Sequence, residues 1–129
     1  MARINRVPKD TVVYKKAFSM AAKECIVVLL LKKGTRINRA ISSQKKNRAE
    51  KAKVLRIHRV GHVEVQGGGF SSYIRKDTLK KAISSIDNSF CYVPERTVKP
   101  RNGYSCSPME CAGGIHFFSS LERAVEFPR

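Results

Sequence analysis

The sequence predicts an α+β fold: a mainly antiparallel sheet of five or six short strands, with one inserted helix and one helix at the C-terminus. Three observations carry that expectation. Residues 25–31 form a continuous apolar run, Cys-Ile-Val-Val-Leu-Leu-Leu, as expected of a strand covered on both faces. Residues 54–60 and 62–66 flank Gly61, and the second run alternates with period two, which reads as a hairpin. Two sets of apolar residues recur at helical spacing behind capping residues: Leu79, Ala82, Ile83 and Ile86 behind Asp77, and Leu121, Ala124 and Val125 behind Ser119 and Ser120.

Taken in order, Thr11, Val12, Val13 and Tyr14 are β-branched or aromatic and follow Pro8, so they read as a short strand. Residues 15–24 are ambiguous: their Ala and Met content favours helix, but the segment is short enough to be a loop with one helical turn. Strand 25–31 ends at Lys32, Lys33 and Gly34. Residues 34–53 lack an apolar period and read as an exposed basic loop, partly helical over 47–53. In the hairpin, Gly61 marks the tight connection and Gly67, Gly68 and Gly69 the exit. The inserted helix spans 77–86. A further strand, 90–93, leads through Pro94 and Pro100 into residues 106–127, where Gly113 and Gly114 permit a reversal, 115–118 form a strand and Pro128 stops the last helix.

The length of 129 residues fits one domain, and 42% apolar residues exclude a disordered chain. Charge is the outlier: 26 Lys and Arg against 10 Asp and Glu give a formal +16. Residues 1–59 hold 17 basic and 3 acidic side chains, whereas residues 60–129 hold 9 and 7. A basic half joined to a near-neutral half points to a polyanionic partner. No signal-peptide pattern follows Met1, and the longest apolar run is too short to span a bilayer. Four cysteines without an export signal read as free thiols. The expected setting is intracellular: host cytoplasm, nucleoid or nucleus, or a virion.

Several stretches together resemble a known family. They are Phe90 to Pro100 (Phe-Cys-Tyr-Val-Pro-Glu-Arg-Thr-Val-Lys-Pro), the run Glu110-Cys111-Ala112-Gly113-Gly114-Ile115-His116-Phe117-Phe118, and Glu122 to Glu126. Val13-Tyr14-Lys15-Lys16, the strand Ile26 to Leu30 and the segment Asn47 to Leu55 match its N-terminal half. The chain is similar here to an uncharacterised domain family of large DNA viruses, phages and some bacteria, which sometimes sits beside pentapeptide repeats. It departs from the family in a longer segment at 71–89 and a more basic N-terminal half. The resemblance implies a fold and a viral or phage setting, and it carries no chemistry.

Four constellations bear on function. Cys106, Cys111 and His116, with Cys91 or Cys25 as a fourth ligand, offer zinc-type donors. Their x4 spacings are looser than the usual Cys-x2-Cys turn, so buried thiols and a hydrogen-bonded histidine are the expectation, with no metal and no cofactor. Cys111 and His116 form a nucleophile–base pair only if they face each other, and no orienting Asp or Asn is evident, so the reading leans away from an enzyme. Gly67, Gly68 and Gly69 lack the Lys-Ser/Thr ending of a phosphate loop and read as a hairpin exit. The basic segment is the richest candidate. Eleven Lys and Arg and one acid, Glu50, lie between Lys32 and Arg59, a density that neutralises phosphates.

Its expected anion-binding residues are Lys32, Lys33, Arg36, Arg39, Lys45, Lys46, Arg48, Arg56 and His58. Arg56 and His58 share the outward face of their strand, opposite Lys53, Leu55, Ile57 and Arg59, and the aromatics Phe70 and Tyr73 stand ready to stack on bases. The competing reading is a solvated basic face that serves solubility. The sequence therefore favours a non-enzymatic module that grips nucleic acid or another phosphate-bearing ligand. A structural or interaction protein that docks on an acidic protein surface comes second, and a small Cys/His enzyme third.

Overall fold

The computed structural model describes residues 5–38, 47–83, 91–99 and 115–126. Within them the chain is almost entirely β, with eleven strands and one short helix. The strands are β1 (Asn5–Arg6), β2 (Thr11–Phe18), β3 (Glu24–Leu31), β4 (Arg36–Asn38), β5 (Asn47–Ala49), β6 (Ala52–Glu64), β7 (Phe70–Thr78), β8 (Ala82–Ile83), β9 (Cys91–Tyr92), β10 (Thr97–Val98) and β11 (Ile115–Phe117). The helix α1 (Leu121–Glu126) closes the described chain. The α+β expectation is thereby corrected to a nearly all-β architecture.

The larger sheet has the order β10-β6-β3-β2-β8-β9, with β7 continuing along β6, and the smaller sheet the order β1-β4-β5-β11. All pairings are antiparallel. Phe118 ties the sheets together: Tyr14 N–H donates to its carbonyl at 2.9 Å and its N–H donates to the Tyr14 carbonyl at 2.7 Å. The main core lies between the sheets. Val13, Ala17, Cys25, Val27, Leu29, Leu31, Val54 and Ile57 meet Val7, Ile37, Ala49, Ile115 and Phe117 there.

Strand β3 is central, paired by β2 on one edge and β6 on the other. Its alternate side chains enter the main core, while Ile26 on the opposite face joins Phe118, Ala124 and Val125 under α1. The continuous apolar run has this cause: both faces of β3 are covered. Cys25 is fully buried, and burial pushes its thiol up to about 12, so it is neither a nucleophile nor a ready metal ligand near neutral pH.

Several expected elements are overturned. The strand begun at Thr11 runs on to Phe18, and the chain reverses over residues 19–23, where Ser19 N–H donates to the Lys23 carbonyl at 2.8 Å. Residues 47–53 are not helical but form β5 and the start of β6. Gly61 is no turn, since β6 passes straight through it. The reversal falls instead at Gly67, Gly68 and Gly69, whose φ values of 93, 94 and 89° only glycine adopts freely.

No inserted helix exists over the described part of 77–86, because Asp77 and Thr78 end β7 and Ala82 and Ile83 form β8. Leu79 occupies the crossing, its N–H donating to the Ile57 carbonyl at 2.9 Å and its side chain packed on the main core. A chain tucking one leucine between two strands thus copies helical spacing. The C-terminal helix is present, with Ser120 as its cap: the hydroxyl oxygen accepts from Arg123 N–H at 3.2 Å.

Candidate anion-binding site

Strands β3, β6 and β10 run side by side at one end of the larger sheet. Lys53 on β6 stands opposite Leu30 on β3 and Thr97 on β10. Lys32 follows β3 and opens a tight turn in which Thr35 N–H donates to the Lys32 carbonyl at 3.0 Å. Gly34 takes the positive φ of 89° that this reversal needs, and Asp10 Oδ1 holds the turn by accepting from Lys33 N–H at 2.8 Å. Lys51 stands at the corner between β5 and β6.

These elements enclose a cavity of about 170 Å³ lined by Leu30, Lys32, Thr35, Lys51, Ala52, Lys53 and Thr97. A lining that holds three lysines and two threonines beside Leu30 and Ala52 suits an anion. The volume lies below the roughly 300–1,000 Å³ of pockets that enclose a whole small molecule. It fits one phosphate, or a sugar-phosphate, of a longer ligand.

Nearby carboxylates engage two of the neighbouring cations unequally. Glu95 Oε2 lies 3.3 Å from Lys53 Nζ, and its side chain is 75% exposed, so this is a surface pair worth little that an incoming anion readily replaces. Glu50 engages Arg36 twice, accepting from the backbone N–H at 2.7 Å and from Nε at 3.2 Å. Burial pushes the Glu50 carboxyl up, but the Arg36 backbone N–H, its guanidinium and the charge of Lys51 together outweigh burial and hold it below its usual range. A carboxyl lowered in this way contributes stability that is fully present above its unfolded value, about 4.3, and lost as pH falls through the lower folded value. Glu50→Gln is therefore expected to melt below the parent at neutral pH. The two melting curves should converge as pH falls through that lowered folded value in a thermal scan against pH.

The residues expected from sequence divide into several groups. Lys32 and Lys33 are exposed on the turn, and Lys32 lines the cavity. Arg36 is the Glu50 partner. Arg48 is 3% exposed on β5, opposite His116 of β11, so its charge does not face solvent. Arg56 is exposed and His58 half-buried further along β6, on the side turned away from the main core. Arg56 Nε donates to His58 Nε2 at 3.0 Å, and His58 Nδ1 lies 2.9 Å from the Arg75 carbonyl. Arg39, Lys45 and Lys46 lie outside the described residues, as do Cys106 and Cys111.

Sequence reasoning missed Lys51, Lys53, Thr35 and Thr97 as site residues. Strand alternation alone puts Lys53 on one face with Leu55, but β6 bulges there. Val28 pairs with Arg56 and Leu29 with Val54, which leaves Leu55 as the extra residue. Thr97 carried no charge signal at all.

No curated protein and no solved structure matches the chain. A family described as of unknown function, DUF5758, matches residues 4–124, which span every strand and most of α1. The match covers nearly the whole described fold, and the chain belongs to DUF5758.

Proposed function

We propose that the protein is a small basic, non-enzymatic binding module that grips nucleic acid by its phosphates. The observation that carries this reading is the cavity beside β10, where Lys32, Lys51 and Lys53 converge with Thr35 and Thr97. A phosphate held there accepts from ammonium groups on three separate segments. Further cations, Lys33 beside the cavity and Arg56 on β6, extend the basic surface for neighbouring phosphates. The formal charge of +16 supports the same reading by drawing a polyanion from a distance. A viral or phage setting, implied by the resemblance in the sequence, suits a module that meets a genome inside the infected cell or in the virion.

Fluorescence anisotropy with a labelled duplex and a labelled single strand tests the reading. Binding at low salt that weakens linearly in log K against log[salt] is the expected result. Absence of binding to either probe at low salt sinks it, and an acidic protein surface then becomes the partner to seek.

A further inference from the structure

Beyond Arg59 the strands β6 and β7 leave the sheet as a two-stranded arm, since β3 pairs no further than Cys25 opposite Arg59. Four of the exposed large apolar side chains lie on this arm: Val63, Val65, Phe70 and Tyr73. Tyr73 sits directly across from Gly61. A Cβ placed on Gly61 would overlap the Tyr73 ring and its hydroxyl, so the hydroxyl end of the ring occupies the space over the bare glycine. The side chain is nonetheless 49% exposed. Part of the ring is seated over Gly61, and about half of the side chain is open to solvent.

The strand positions next to the ring carry two arginines and an aspartate. Asp77 bridges two arginines, Oδ1 to Arg75 Nε at 3.0 Å and Oδ2 to Arg59 Nε at 3.4 Å. Val63 follows Gly61 on the same side of β6, because alternate residues share a face. Phe70, 74% exposed, stands opposite Glu64 on the other face of the arm.

We infer that the arm is a binding site for single-stranded nucleic acid, with Tyr73 as a stacking platform for an unpaired base and Arg59 and Arg75 beside it for the flanking phosphates. Base faces are open to a tyrosine only where the strand is not paired, and base–aromatic stacking tolerates any sequence. Charge complementarity selects this occupant over a second copy of the chain, since two molecules of formal +16 repel and β7 itself carries Arg75 and Lys76. Gly61 is a positioning residue: the absence of its side chain gives the ring its bed.

The inference rests on the phosphate-gripping function proposed above, and the test separates the two. A labelled oligothymidylate and a labelled duplex are titrated at one low salt concentration with the parent and with Tyr73→Leu, Tyr73→Phe and Gly61→Val. Tyr73→Leu is expected to weaken single-strand binding roughly 5- to 100-fold and to leave the duplex nearly unaffected. Tyr73→Phe should bind like the parent. Gly61→Val, which keeps the tyrosine but removes its seat, should lose single-strand affinity as well.

Unchanged single-strand binding by Tyr73→Leu, or equal losses on both probes, overturns the stacking site while the phosphate function stands. Binding of neither probe by the parent overturns both. Should the variants not fold, the parent decides the matter by NMR. Nuclear Overhauser contacts between the Tyr73 ring and thymine protons support the site, and their absence in a saturated complex refutes it.

Discussion

Phe117→Ala is expected to lower the free energy of unfolding by about 3–5 kcal/mol, read from the midpoint of a denaturant titration with an unchanged slope. Phe117 is 3% exposed and belongs to the main core between the sheets. It lies on β11, a strand of three residues held to β5 by three register pairs. So short a strand keeps its place by side-chain burial more than by its ladder, and Ile115 and Phe117 are the two residues it buries. Truncating the ring removes its transfer energy and leaves a void that two closely packed sheets fill only partly. Phe70→Ala provides the contrast. That ring is 74% exposed, and its loss should change stability by no more than about 0.5 kcal/mol. Equal midpoints for the two variants would contradict the packing described here.

The parts of this fold legible in the sequence are those where one local rule operates undisturbed. Strand β3 is apolar on both faces because both are covered, and α1 announces itself by Ser120 and by the spacing of Leu121, Ala124 and Val125. Where two rules compete, the sequence misleads. Lys15 occupies an inward position of β2 between Val13 and Ala17, 8% exposed, with Nζ donating to the His116 carbonyl at 3.2 Å. A lysine whose stem packs inside and whose head finds a carbonyl breaks the apolar alternation without breaking the strand. Lys16 does the same on the other side, donating to the Val125 carbonyl at 2.8 Å and pairing with Glu24 at 3.5 Å.

Gly61 is a second such case. A glycine in an apolar alternation normally signals a turn or a bulge, but here a cross-strand tyrosine fills the space of the missing side chain. The true reversal then falls on Gly67, Gly68 and Gly69, and a strand from Phe70 to Thr78 replaces the expected helix entry. The candidate site was hidden for a different reason. Its three lysines sit on the turn after β3, at the corner before β6 and on β6 itself, and Thr97 comes from β10. Only the antiparallel register brings them together. Charge density located the segment but not the side chains, and it included Arg48, whose guanidinium is buried.

Replacing Lys32, Lys51 and Lys53 together by glutamine is expected to flatten the salt dependence of duplex binding by about one phosphate contact, worth about 0.9 in the slope of log K against log[salt]. The three lysines line one cavity, so they neutralise the same phosphate, whose condensed cations are released to solution. Stability should change little. Lys32 and Lys51 are exposed, and the Lys53–Glu95 pair is a surface contact of about 0–1 kcal/mol. Affinity should fall alike for unrelated duplexes, because phosphate contacts position the protein without reading bases. Lys23→Gln supplies the control, since this lysine is equally exposed but lies in the reversal before β3, at the opposite end of that strand from the cavity. A parent-like slope for Lys23→Gln beside a slope lowered by about 0.9 for the triple variant would fix the phosphate path at the β3–β6–β10 cavity. Identical slopes for the parent and the triple variant would remove that cavity as the contact surface.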